Sequence, residues 1–169
     1  MLIPASRLLF PLLLAALLGC GGASTRMGYT DPAPGGYRLV GVSTGEGGLV
    51  LDLVGPPGAR IRGGLFTFQA DPALAAWDSD ARAGEALDLG PEPRLLKSRT
   101  DGSRLQVALY QKAGAATLGD RPLFSITLAP LPGARGPVSL AALEARILDA
   151  SGAALAVPVA VGTLHLQEP

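Results

Sequence analysis

Gly114-Ala115-Ala116-Thr117-Leu118-Gly119-Asp120-Arg121-Pro122-Leu123-Phe124-Ser125-Ile126-Thr127-Leu128 is the stretch on which the fold class turns. Phe124, Ile126 and Leu128 share one parity and Ser125 and Thr127 the other, the alternation of a strand with one buried face. Gly119-Asp120 ahead of it is turn chemistry. The same period of two recurs outward along the chain. Leu49, Leu51 and Leu53 oppose Asp52, Phe66 and Phe68 flank Thr67, and Leu105, Val107 and Leu109 oppose Gln106 and Tyr110. Val157, Val159 and Val161 share a parity that Leu164 and Leu166 do not, and a shift of one near Gly162 reads as a β-bulge. Between the runs stand Gly55-Pro56-Pro57-Gly58, Asp101-Gly102, Leu131-Pro132-Gly133 and Ser151-Gly152. Short strands separated by such turns predict an all-β sandwich.

Two stretches depart from the alternation. Asp71-Pro72-Ala73-Leu74-Ala75-Ala76-Trp77 places an N-cap acid before a proline, which predicts a short helical turn near Asp71–Trp77. Residues 139–149 fit both periods: Leu140, Leu143 and Ile147 suit a helix, while Leu143, Ala145 and Ile147 suit a strand.

At the N-terminus, Arg7 precedes the apolar run Leu8 to Leu18, which ends in Gly19-Cys20. A charge, an apolar core and a small residue in that order form an export signal, expected over residues 1–19. The run is too short, and too interrupted by Pro11, for a permanent membrane span. Leu17-Leu18-Gly19-Cys20 resembles the lipobox of bacterial lipoproteins, which implies that Cys20 is acylated and becomes the new N-terminus on a membrane. Cys20 is the only cysteine, so no intramolecular disulfide supports the fold. Gly21 after it, with no acid there, points to the outer membrane of a Gram-negative envelope.

The chain from Cys20 to Pro169 is of a length that suits one domain with a real core. Residues 20–36, rich in Gly and with too few apolar side chains to pack, read as a flexible tether, and residues 37–167 as the domain. Sixteen residues after Cys20 would extend at most about 55 Å. Arg7 is the only one of the 14 basic residues in the signal, and all 14 acids follow it. The remaining chain is therefore slightly acidic, and it lacks the basic excess that nucleic-acid binding requires. Asparagine is absent and the lysines are Lys97 and Lys112 alone, a bias of a GC-rich genome rather than of function.

Residues 114–128 resemble the Gly-Asp turn and following strand of the cohesin family. Val138 to Gly152, followed by Val157 to Leu166, resembles the family's closing strands, and Gly64 to Leu74 its strand leading into an Asp-Pro turn. The likeness covers most of the chain after the signal. It implies a jelly-roll sandwich of about nine strands, with residues 139–149 as strand. In that family one sheet face holds the helical, calcium-loaded dockerin module of another protein. A protein partner, dockerin-like or another envelope or secreted protein, is accordingly expected. No contact residue carries over, because no motif on that face matches.

Catalytic chemistry finds little to work with. His165 is the only histidine and lies near the end of the last strand, with no nucleophile elbow in the chain. Asp78-Ser79-Asp80, with Asp71 and Asp88, offers oxygen atoms but lacks the ligand series of a calcium loop. The expectation is a non-enzyme with no metal and no cofactor. A carbohydrate-binding module is the alternative, which would use Trp77 and Tyr110 as platforms for a polysaccharide. A third reading is an accessory lipoprotein of an envelope assembly.

Overall fold

A computed structural model describes residues 25–45, 48–78, 80–90 and 95–167; the expected signal and Cys20 lie outside them. The described residues form strands and no helix. One sheet takes its strands from β2 (Tyr37–Gly45), β3 (Gly48–Val54), β5 (Ala75–Trp77), β6 (Arg82–Ala83), β10 (Phe124–Pro130) and β14 (Val159–Ala160). Its order is β14-β2-β3-β10-β5, with β6 also on β10. The facing sheet holds β4 (Arg60–Ala70), β7 (Leu96–Asp101), β8 (Arg104–Tyr110), β9 (Ala116–Thr117), β12 (Leu140–Asp149) and β13 (Ala154–Ala156). Here the order is β13-β12-β4-β8-β7, with β9 on β4. A third, small sheet runs β1-β15-β11, from β1 (Arg26–Thr30), β15 (Thr163–Gln167) and β11 (Gly136–Val138). Nine of these strands have five residues or more, the number expected of the jelly roll.

Alternation builds the core. Phe124, Ile126 and Leu128 of β10 lie in register with Leu53, Leu51 and Leu49 of β3, and all six are buried. Phe66 and Phe68 of β4 meet them from the opposite sheet, paired with Val107 and Leu105 of β8. The ring of Phe124 stands 5.5 Å from Phe66 and 6.3 Å from Phe68, centroid to centroid, tilted as aromatic quadrupoles prefer. The β7–β8 hairpin closes through Gly102-Ser103, where Gly102 has φ 57°, a conformation that suits glycine at the first position of a tight hairpin turn.

Residues 139–149, ambiguous by periodicity, are the strand β12, with a bulge between Ala142 and Glu144 that interrupts the alternation. The Asp71 turn exists but is only one turn long. Leu74 N–H and Ala75 N–H both donate to Asp71 O, and Ala73 N–H donates to its Oδ1. The helical turn expected as far as Trp77 stops there, because Ala75–Trp77 pairs with β10 instead.

The tether expected over 20–36 needs correction. Arg26–Thr30 is a strand, fully paired with β15, so the folded domain includes residues well before 37. Met27 and Tyr29 are two apolar groups at strand spacing. Met27 is 6% exposed and belongs to the core, and their pairing partner comes from the far end of the chain. The parity shift at Gly162 is likewise no bulge: the chain leaves one sheet after Ala160, where β14 runs parallel to β2, and enters the small sheet at Thr163.

Tyr29 ties that crossing down. Its hydroxyl donates to Leu39 O at 3.1 Å and accepts from Gly162 N–H at 2.8 Å, joining β1, β2 and the β14–β15 link. Burial, helped by Asp31 and opposed by the Gly162 bond, raises its pKa above the ordinary 10.0. The neutral phenol's contribution is therefore whole below about pH 10 and is lost as pH rises through the higher folded value. Thermal midpoints between about pH 8 and pH 11 should fall less steeply in Tyr29→Phe than in the parent. An identical slope would show that Tyr29 ionisation is not linked to folding.

Candidate functional site

The outer face of the β13-β12-β4-β8-β7 sheet carries a graded surface, read row by row from the strand registers. Leu95, Tyr110, Gly63, Leu148 and Ala154 form one row across the sheet, with Tyr110 N–H donating to Leu95 O at 2.9 Å. Lys97, Ala108, Leu65, Arg146 and Ala156 form the next. Arg99, Gln106, Thr67 and Glu144 follow, then Asp101, Arg104, Gln69 and Ala141. One half of the face is thus largely apolar and the other polar.

The apolar half forms an open groove of roughly 420 Å³ between Leu65, Leu95, Tyr110 and Leu148, with Lys97 and Arg146 at its rim. Leu65 is 38% exposed and Tyr110 39%, uncommon for large apolar side chains clustered on one sheet face. Glycine deepens the groove. At Gly63, in the outer row, a Cβ would strike Leu109 O and come within 2.9 Å of Tyr110 Cα, so β4 and β8 approach closely there. Arg146 is held by Glu144, Nε to Oε1 2.8 Å, and Arg99 Nη2 donates to Gln106 Oε1 at 3.2 Å. Thr67, 5% exposed, has a hydroxyl with no hydrogen-bond partner.

The β12–β13 hairpin flanks the groove through a tight carboxylate turn. Asp149 Oδ1 accepts from Ser151 N–H at 2.8 Å, Ser151 Oγ–H at 2.6 Å and Ala153 N–H at 2.9 Å. The Ser151 hydroxyl, followed by these amides, holds the Asp149 carboxyl below its ordinary pKa. The turn fixes where Ala154 sits beside Leu148.

The sequence candidates do not converge. Trp77 cannot be a sugar platform: it is 8% exposed, packs 6.3 Å from Phe68, and its Nε1–H donates to Ser103 O at 3.1 Å. Tyr110 is separate from it and lines the groove. His165 is exposed on β15 between Gly28 and Pro137. Asp71, Asp78 and Asp88 each use Oδ1 to accept a backbone N–H two residues ahead, and among the described residues no three acids, His or Cys gather to hold a metal. Leu65, Leu95 and Leu148 escape a reading of the sequence alone. Their signal is present as apolar neighbours, Leu65-Phe66 and Ile147-Leu148, which make a strand apolar on both faces.

The fold has known counterparts. The sixth cohesin of scaffoldin B from Acetivibrio cellulolyticus, solved with a dockerin, superposes with a TM-score of 0.57 at 13% identity over 76% of this chain and 97% of that one. The cohesin of a type I cohesin–dockerin complex from Clostridium thermocellum gives 0.58 at 11% identity, over 82% and 97%. A type II cohesin from the A. cellulolyticus cellulosome gives 0.54 at 12% identity, over 79% and 95%. No protein-family model matches the sequence, and no curated protein does. The chain is a cohesin-like β-sandwich.

Proposed function

We propose that this chain is a lipid-anchored binding protein whose cohesin-like sandwich docks another protein on the outer face of its β13-β12-β4-β8-β7 sheet. The observation that carries this is the exposed apolar groove around Leu65, Tyr110 and Leu148. Large side chains there gain from burial against a partner, while Lys97 and Arg146 supply polar rim contacts. The solved counterparts bound to dockerins support a helical module of that kind as partner, with another envelope or secreted protein fitting the same groove.

Leu65→Asp tests the face. The new carboxylate can meet solvent, Lys97 and Arg146 in the free protein, so folding should change little. Buried unpaired under a partner, it should weaken binding roughly 30-fold or more. A pulldown with the parent should recover a specific envelope or secreted protein that Leu65→Asp does not retain. Equal recovery by both would move the site elsewhere. Glycan binding lost in Tyr110→Ala would favour a carbohydrate-binding role instead.

The signal-like apolar run that ends at Cys20 supports membrane placement through acylation of its thiol. Cys20→Ser should leave the membrane fraction for the soluble one, with an unchanged thermal midpoint. Continued membrane association would overturn the anchor.

A further inference from the structure

We infer that the domain is strapped against the bilayer by one particular end, with the apolar groove at the other end, pointed away from the lipid; this rests on acylation of Cys20. Between Cys20 and Arg26, the first residue of β1, stand only five residues. That stretch reaches at most about 22 Å at roughly 3.6 Å per residue, less than half the reach of a tether running to residue 36.

The fold says which end is held. Arg26 lies opposite Gln167, and Met27 opposite Leu166, which on its other side pairs with Gly136. Gly136 follows directly from the loop 131–135, and Leu131 N–H donates to Leu74 O at 2.9 Å. Asp71 N–H in turn donates to Ser139 O at 3.0 Å. The start of β1 is therefore at the Ala70 end of β4, beside the Asp71–Leu74 turn and the 131–135 loop.

The groove occupies the other half of that strand. Gly63 and Gly64 lie six to seven residues from Ala70, about 20–23 Å along the strand at roughly 3.3 Å each. Arg62 marks the far end, its Nε donating to Gly114 O at 3.2 Å. So short a strap, attached at the Ala70 end, cannot turn the sandwich over to lay the Arg62 end on lipid. The bilayer surface thus covers the Asp71–Leu74 and 131–135 end, and an incoming protein meets the groove without competing with headgroups.

Fluorescence energy transfer to acceptor-labelled lipid tests the arrangement. The acylated chain is placed in phosphatidylethanolamine–phosphatidylglycerol vesicles, with a dye on Ala73→Cys at the near end or Ala113→Cys at the far end, both exposed positions. Transfer from Ala73→Cys should exceed that from Ala113→Cys by about twofold or more, for a separation along β4 of roughly 26 Å. Inserting about twenty Gly and Ser residues after Thr25 should erase most of the difference, because the longer strap permits tumbling. Equal transfer at the two sites in the parent, or a difference unchanged by the insertion, overturns the inference while leaving the anchor standing. Failure of the parent to associate with vesicles overturns both.

Discussion

Phe124→Ala is expected to cost about 3–5 kcal/mol of folding stability, the range for a large aromatic removed from a packed core. The ring is fully buried and joins the two sheets, touching Phe66 and Phe68 across the interface from its own strand β10. Neither neighbour can follow to fill the space, since each is held in the β4–β8 register. A domain of this size has about 5–15 kcal/mol in total, so the variant should be largely unfolded at modest urea. Trp77 is the only tryptophan and packs on Phe68, so its fluorescence follows the transition directly. Phe124→Leu should recover more than half of the loss. A midpoint shift worth under about 1 kcal/mol in the alanine variant would mean the two sheets do not seal at this ring.

Gly162→Ala should detach the N-terminal strand at a cost of about 2–4 kcal/mol, the sum of overpacking and lost hydrogen bonds. A Cβ there would strike Thr30 O and come within 2.7 Å of Tyr29 Cζ. The contact is with a paired backbone carbonyl and with the ring whose hydroxyl holds Leu39 and Gly162 together. Hydrogen exchange read by mass spectrometry should show Met27 to Thr30 losing protection while β4 and β8 keep theirs. Unchanged protection of residues 27–30 would sink the idea that this glycine makes room for β1.

Period-two runs such as Leu49-Leu51-Leu53 and Phe124-Ile126-Leu128 are legible in the sequence because each has one buried face and one polar face. Once a residue's surroundings come from distant segments, that legibility ends. Met27 and Tyr29 look too sparse to pack because their pairing strand, β15, comes from the opposite end of the chain. Trp77 passes for a surface platform because nothing local announces the Ser103 carbonyl or the Phe68 ring. The groove stays hidden for a third reason. Leu65 and Leu148 sit on the parity usually given to polar residues, where a one-strand reading counts an irregularity and only the cross-strand rows show the groove. At Gly162 the parity shift is visible, but a bulge and a change of sheet leave the same trace in one dimension.

If Cys20 is acylated as proposed, the pairing of β1 with β15 also decides how the protein would bear load. If a partner in the groove is pulled outward while the lipid holds Cys20, tension enters the fold at Arg26 and runs along β1. The strand is antiparallel to β15 over five register pairs, so its ladder bonds are loaded together, side by side, instead of opening one after another. Tyr29 adds a cross-tie to β2 toward the strand's far end. With the proposed acyl anchor and a docked protein, a short strand that contributes little to the core would be the joint through which the two pull on each other.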